Sequence, residues 1–245
     1  MRIEFDMFRS ETMGSFESLA EFRDIIEAQM QEVKQLDRSR IISEFKASDP
    51  DDRDEVGMVL AERDAELEVL DRKFAVTYPR LCRYSFLTML FMHVEANLKA
   101  VCDEIAKRKK LRYHVSEFRG AVLERAKTFL IKEASLPPLP SATWEALSNL
   151  QKLRDCIVHA GGRVANSRDK ADIERLTEQN LGLGITPPTF PDLPEDYPCI
   201  EDNEVGLLQI EPGFCIAIVN SVKSLFKEIF DRSGCFGPDH VVRVD

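Results

Sequence analysis

Apolar residues recur at three- and four-residue steps along most of this chain, the spacing that places them on one face of an α-helix. The pattern begins just after Ser15 and continues to Leu36. Its first positions are Phe16, Leu19, Phe22, Ile25 and Ile26. A proline and several cap-type residues interrupt it over 48–52, and a second helix is predicted over 53–76. Because acidic side chains crowd the polar side of both segments, the sequence predicts an antiparallel hairpin with an acidic outer face.

The middle of the chain contains the most apolar predicted helix. It begins at Pro79 and is apolar on nearly all sides over about 80–110, which favours the centre of a helical bundle. A fourth helix is predicted over 116–134. A fifth runs from Ser141, a good N-cap, to a glycine pair at 161–162 that can end the helix in the left-handed conformation. The apolar stripe of this fifth helix is Leu147, Leu150, Leu153 and Ile157.

The last third of the chain is less regular. A short helix is predicted over 168–180, and five prolines over 182–198 indicate a long loop. A brief strand is expected at 205–210, before a final amphipathic helix over 212–232. The fold class is therefore all-α, an antiparallel helical bundle with an N-terminal helical hairpin and at most one short strand. The expected domains are a hairpin at 1–76, a helical core at 77–235 and a C-terminal tail at 236–245.

Composition agrees with a globular protein of ordinary core size. The 245 residues include six cysteines without the paired spacing of a metal site, which is typical of free buried thiols. The longest apolar stretch, from Tyr84 to Cys102, is interrupted by charged and polar residues and is expected to be a core helix, not a membrane span. The chain is therefore expected to be cytoplasmic, with no membrane partner and no cofactor.

Charge is unevenly distributed along the chain. The net charge is −10, yet residues 105–132 hold nine basic and two acidic side chains. Such a local excess can guide a polyanion to one face of an otherwise acidic molecule, although a solvated helix end would look the same. The candidate RNA-binding residues in this cluster are Lys107, Arg108, Lys109, Lys110 and Arg112.

The candidate chemistry lies at the end of the fifth helix. Residues 153–162 read Leu-Arg-Asp-Cys-Ile-Val-His-Ala-Gly-Gly. On the predicted helix, Asp155 and His159 lie together on the side away from the apolar stripe, and Arg154 lies at its border. The three side chains offer a fixed positive charge, a carboxylate and an imidazole, which suit phosphodiester cleavage.

An arginine followed by a polar residue and, five positions on, by a histidine resembles the signature of the HEPN superfamily. These are small helical domains, many of them metal-independent endoribonucleases of bacterial toxin, defence and RNA-processing systems. The resemblance implies a homodimer in which two copies of the motif face each other, and possible partners are RNA and an antitoxin or regulatory protein. Asp155 departs from the commoner asparagine. Gly161 replaces the tyrosine that some HEPN toxins carry, so that modified-toxin subtype is not expected.

The implied reaction is transesterification by the ribose 2′-hydroxyl, without a metal ion. Arg154 would stabilise phosphoryl charge, His159 would act as acid or base, and Asp155 would orient the histidine. Glu95, in the apolar third helix, either supports Arg154 or simply lies at the helix surface. Cys156 beside the histidine is a weak candidate for a thiol nucleophile. The alternative function is a non-catalytic HEPN-like interaction or dimerisation module, for which the motif would be an ordinary helix end.

Overall fold

The structure is a computed structural model, and it describes residues 2–46, 51–179, 182–186, 206–238 and 242–244. The chain divides into two compact units. The hairpin unit comprises Glu21–Arg83, and the bundle unit comprises Met1–Ala20 with Tyr84–Asp245. The division expected at 76/77 differs from this one, because the first 20 residues pack with the later part of the chain. No helix within the described residues is long and apolar enough to cross a membrane.

The hairpin unit contains the later part of helix α1 (Met7–Glu44), from Glu21 onward, and all of helix α2 (Arg53–Arg72). Asp52 begins α2 as its N-cap, with its carboxylate accepting the N–H groups of Asp54 and Glu55. The break and restart predicted between 48 and 53 are confirmed at this cap, although 47–50 lie outside the described residues.

The second helix does not stop before the third. A π-helical turn, Lys73–Thr77, leads directly into α3, Tyr78–Lys109. Pro79 is the second residue of α3, so the expected start is confirmed without any interruption of the helical chain. Proline lacks an N–H group, and a π turn is a common way for a helix to accommodate a change in its hydrogen-bond ladder.

A small apolar core holds the hairpin unit together. Ile41, Leu70 and Phe74 are buried there, with Met30, Phe45 and Leu67 packed around them. Lys34 pairs with Asp71 at 2.8 Å, and Glu27 pairs with Arg83 at 3.0 Å. Early residues of one segment thus meet late residues of the other, so the predicted antiparallel hairpin is confirmed.

The bundle unit has one continuous apolar core. Helix α3 contributes the most buried residues to it, from Tyr84 to Ala106. Packed into the same core are α4 (Val122–Lys132), α5 (Ser141–Ala160), α6 (Lys170–Gln179) and α7 (Pro212–Ser233). The all-α prediction is confirmed, as is the burial of α3. Within α5, Leu147, Leu150 and Leu153 are buried as predicted, whereas Cys156 is fully buried and Ile157 only partly.

The described residues also include four short strands. Strand β1 (Arg2–Glu4) pairs antiparallel with β4 (Val242–Val244), and β2 (Leu183–Ile185) pairs antiparallel with β3 (Leu208–Ile210). The expectation of at most one strand was wrong. Each strand has three residues, too few for an alternating pattern, and each pairs with a segment distant in sequence. The strand predicted near 205–210 is β3; most of the predicted loop, 187–198, lies outside the described residues.

A buried carboxylate ties the start of α1 to the residues after α7. Asp6 accepts the guanidinium of Arg108 and the backbone N–H groups of Arg9 and Gly237. The Asp6 N–H donates to the carbonyl of Pro238 at 2.8 Å. Residues 236–238 of the expected tail are therefore bonded to the bundle unit.

Candidate functional site

The end of helix α5 is held by a glycine pair and by a tyrosine of α3. Gly161 and Gly162 have φ angles of +61° and +83°, and both donate their N–H groups to the carbonyl of Cys156. Gly162 lies against the Tyr84 ring, where a Cβ atom would come within 3.0 Å of the ring. The Tyr84 hydroxyl donates to the carbonyl of Leu208 at 2.6 Å, and the Leu208 N–H donates to Gly162. These bonds fix the last turn of α5, which carries His159.

Arg154 lies at the border of the core, as the helical pattern predicts, with a quarter of its side chain exposed. Its guanidinium carbon lies 5.2 Å from the centroid of the Phe91 ring of α3, a cation–π contact. One terminal nitrogen donates to Asp155 at 2.6 Å. The Nε–H group is buried and has no acceptor among the described residues. A buried donor without an acceptor is costly, so the exposed quarter of the side chain is the part that an anion could reach.

Asp155 is engaged by two arginines. Its carboxylate accepts from Arg154 and, at 3.3 Å, from Arg168, which also contacts Asp169. No hydrogen bond or ion pair joins Asp155 to His159 in the described part of the chain. Asp155 therefore does not orient His159 in this structure, contrary to the expectation. Two charge-assisted bonds to guanidinium groups are stronger than one bond to an imidazole, which explains the choice of partners.

His159 lies in the last turn of α5 with its side chain exposed. It follows Arg154 by five residues, a rise of about 7.5 Å along the helix axis. Nothing within the described structure covers or bonds its ring, so the imidazole is open to a ligand or a second chain. Val158 beside it is 50% exposed, which places an apolar side chain at the same edge.

Glu95 lies half-buried on α3, one turn beyond Phe91. Burial raises its pKa above the usual range, and the positive charge of Arg154 opposes this rise. The charges of Asp155 and Arg125 also act on it, the first raising and the second lowering its pKa. Glu95 is thus electrostatically coupled to Arg154, but within the described residues no direct ion pair joins the two.

Cys156, between Asp155 and Ile157 on α5, is fully buried. Burial raises the pKa of its thiol above the usual value, against the opposing effect of a hydrogen bond with Ser167. A raised pKa keeps the thiol neutral and unreactive near neutral pH. The geometry therefore gives no support to a cysteine nucleophile.

The basic cluster at the end of α3 is partly used inside the protein. Arg108 bonds Asp6, donates to Glu104 at 2.7 Å and lies over the Phe236 ring at 4.3 Å. Lys109 donates to the carbonyl of Ala134. Both cations are thus bonded within the protein, Arg108 to Asp6 and Lys109 to the carbonyl of a residue that follows α4. The expected RNA contact of these residues stays a prediction. The exposed members of the cluster are Lys107, Lys109, Lys110 and Arg112. Lys107 pairs weakly with Glu104, and Arg112 stacks on Tyr113.

Phe91, Arg125 and Arg168 belong to the site but were not singled out from the sequence. Phe91 reads as an ordinary core residue, and Arg125 as one more charge in a basic run. Arg168 follows α5 by eight residues, and only the turn after Gly162 brings it back to Asp155. No local signal in the sequence indicates such a return.

Comparison of the chain with protein families, with curated proteins and with solved structures gives no significant match. The residues that the structure describes contain no cluster of three or more histidine, cysteine, aspartate or glutamate side chains suited to hold a metal ion. The geometry at the end of α5 therefore carries the functional argument.

Proposed function

We propose that this protein is a HEPN-type endoribonuclease that cleaves RNA without a metal ion. The observation that carries the proposal is the Arg154 guanidinium, which packs on Phe91 with a quarter of the side chain exposed, five residues before an exposed histidine. This is a site for a phosphate beside a group that can move a proton. The motif itself, Arg154 to His159, is the feature that resembles HEPN ribonucleases.

The proposed reaction uses two histidines, one that accepts a proton and one that donates a proton. One His159 accepts the proton of the ribose 2′-hydroxyl as its oxygen attacks the adjacent phosphorus. The bond from phosphorus to the 5′-oxygen breaks, and a second imidazolium gives that oxygen a proton. Arg154 stabilises the charge on the phosphoryl oxygens. The products are a 2′,3′-cyclic phosphate and a free 5′-hydroxyl, formed by general acid–base catalysis.

A homodimer would supply the second histidine. Apolar side chains next to the site are exposed in the single chain: Met92 follows Phe91, and Val158 precedes His159. Met89, one turn earlier on α3, is exposed as well. In the proposed dimer these side chains pack against their counterparts, and two copies of Arg154 and His159 line one cleft. The proposed compartment is the cytoplasm, because RNA is available there and the free cysteines of this protein stay reduced.

The alternative, a non-catalytic interaction module, is favoured by two other observations. Asp155 neutralises Arg154, which weakens its attraction for phosphate. Helix α1 also exposes a stripe of apolar side chains on the hairpin unit, a surface suited to an antitoxin or other regulatory protein. The exposed residues of this stripe are Phe22, Ile25, Val33 and Leu36. Under this alternative His159 has no chemical role.

The test compares wild type with His159→Ala on one structured RNA in EDTA. We expect cleavage by wild type, with cyclic phosphate ends, and a loss of at least about 10²-fold in the variant. His114→Ala is the matched control, since His114 is also an exposed histidine of the bundle unit. Equal cleavage by wild type and His159→Ala, or no cleavage by any of them, would replace the ribonuclease with the interaction module.

A further inference from the structure

A second surface of the bundle unit has the chemistry of a nucleobase site. A cleft of about 510 Å³ opens between α4, the proline-rich segment before α5, and α5 itself. Trp144 lines it, partly exposed and otherwise packed on the core. The Lys127 ammonium lies 6.0 Å from the centroid of the Trp144 ring. The cleft thus places an aromatic face and a cation side by side.

Charged groups of both signs surround the Trp144 ring. Lys152 and Arg175 lie on one wall, where Asp172 holds both at 2.6 and 2.8 Å. Glu124 and Glu145 also line the cleft, and both are exposed. Cations can bind phosphates, while carboxylates accept hydrogen bonds from the amino groups of bases.

The cleft and the candidate catalytic residues share one face of α5. Trp144, Ser148, Lys152, Asp155 and His159 follow one another at steps of four, four, three and four residues. Such steps bring side chains to the same side of a helix. Trp144 therefore lies about 15 Å along the axis from Arg154 and on the same face as Asp155 and His159. A short single strand bound at the motif can continue along this face into the cleft.

We propose that this cleft binds a base of the single-stranded RNA substrate, stacked on Trp144, a few nucleotides from the scissile phosphate. The inference rests on the proposed ribonuclease function, because it assigns the substrate's second contact. Lys127 and Lys152 bind the flanking phosphates, and a single-stranded base can stack because its face is free. The glutamates favour bases with an amino group, such as adenine and cytosine, over uracil, which has none.

The protein carries a direct reporter of this site, because Trp144 is its one tryptophan. The first experiment titrates His159→Ala protein, in which cleavage is disabled, with short oligo(A), oligo(C) and oligo(U) RNAs. We expect saturable quenching of tryptophan fluorescence, strongest with oligo(A) and oligo(C) and weaker at high salt. Fluorescence that does not change at any RNA concentration would overturn the inference.

The second experiment measures binding of labelled oligo(A) by fluorescence anisotropy in the same background. Trp144→Leu should weaken binding about tenfold, and Trp144→Phe should weaken it less, since it keeps an aromatic face. The double variant Lys127→Gln/Lys152→Gln tests the cleft with the Trp144 ring kept in place and should weaken binding to a similar extent. Lys227→Gln, on the exposed side of α7, is the control and should bind as the parent does.

The outcomes separate this inference from the proposed function. Wild-type cleavage that depends on His159, with oligo(A) binding unchanged by the Trp144 and lysine variants, overturns the cleft assignment and leaves the ribonuclease in place. Quenching and binding that depend on Trp144, without any cleavage by wild type, support the cleft as an RNA site and overturn the ribonuclease.

Discussion

Asp155 holds two arginines at once, and this single residue sets how much positive charge the site offers to a phosphate. Arg154 and Arg168 are both bonded to it, so its negative charge lies where the scissile phosphate would bind. We predict that Asp155→Asn tightens RNA binding about fivefold, since unit charges about 4 Å apart interact by about 1 kcal/mol in water. Cleavage should persist, because the residue does not contact His159.

The measurement is KM for RNA cleavage, compared with wild type under the same salt. Asp169→Asn is the matched control, since it removes the same charge from a neighbouring carboxylate that pairs with Arg168 and not with Arg154. A loss of cleavage in Asp155→Asn, with KM unchanged, would mean that the carboxylate has a catalytic role after all.

The end of α5 is an element whose geometry depends on one close packing contact. Gly162 has a positive φ and no space for a Cβ atom beneath the Tyr84 ring. We predict that Gly162→Ala destabilises the protein by about 2–4 kcal/mol, combining overpacking with left-handed strain. Urea unfolding would measure it, with cleavage lost in parallel because the last turn of α5 must move.

Gly161→Ala separates the two causes of that loss. Gly161 also has a positive φ, but nothing lies within 4 Å of its Cβ position. Gly161→Ala should therefore lower the free energy of unfolding by only about 1–2 kcal/mol, the strain of a left-handed alanine. Equal losses for the two variants would show that the Tyr84 contact adds nothing.

The helices were predictable because each has a long periodic pattern, and their connections were not. The stripe of Leu147, Leu150 and Leu153 fixes which face of α5 is buried, and hence where Arg154 lies. The π turn at Lys73–Thr77 has no such signal, since its residues are ordinary helix residues. The strands could not be predicted either, because three residues are too few to show an alternating pattern. Within the site, Arg168 reaches Asp155 only through a turn of the fold.

At the scale of the whole molecule, the proposed dimer makes a prediction about Met92. This side chain is 59% exposed and follows Phe91, whose ring contacts the Arg154 guanidinium. A buried charge without a partner is costly, so Met92→Glu should convert the dimer to a monomer and abolish cleavage with it. Sedimentation at micromolar concentration measures the first effect. Met58→Glu, at a methionine of the hairpin unit that is 69% exposed, should leave the assembly intact.

Either of two results would contradict this arrangement. One is a wild-type protein that sediments as a monomer. The other is a Met92→Glu variant that remains dimeric while Met58→Glu does not, which would move the interface to the hairpin unit.

The bonds of Asp6 predict how stability depends on pH. Burial alone would raise its pKa, but the hydrogen bonds from Arg108 and from the N–H groups of Arg9 and Gly237 outweigh burial and lower it. A lowered pKa in the folded state means that the carboxylate stabilises the fold above its ordinary pKa. That contribution is lost as pH falls below about 4, through the folded pKa.

We therefore predict that Asp6→Asn costs about 2 kcal/mol at pH 7, the range for hydrogen bonds to a charged group. The difference from wild type should narrow below about pH 4, as urea unfolding at several pH values would show. Asp64→Asn is the control, since its exposed ion pair with Arg63 should contribute little. A gap that does not change with pH would mean that Asp6 acts by packing and not by its charge.

The bond between Asp6 and Gly237 also has a consequence for the time course of folding. It joins residues 231 positions apart, so the loop that it closes includes nearly the whole chain. Closing so long a loop costs entropy that one bond offsets poorly, so we expect the bond to form after the rate-limiting barrier. Asp6→Asn should then leave the refolding rate unchanged and speed unfolding by the full amount of its destabilisation. This one carboxylate would govern the lifetime of the native state without affecting how quickly the chain reaches it.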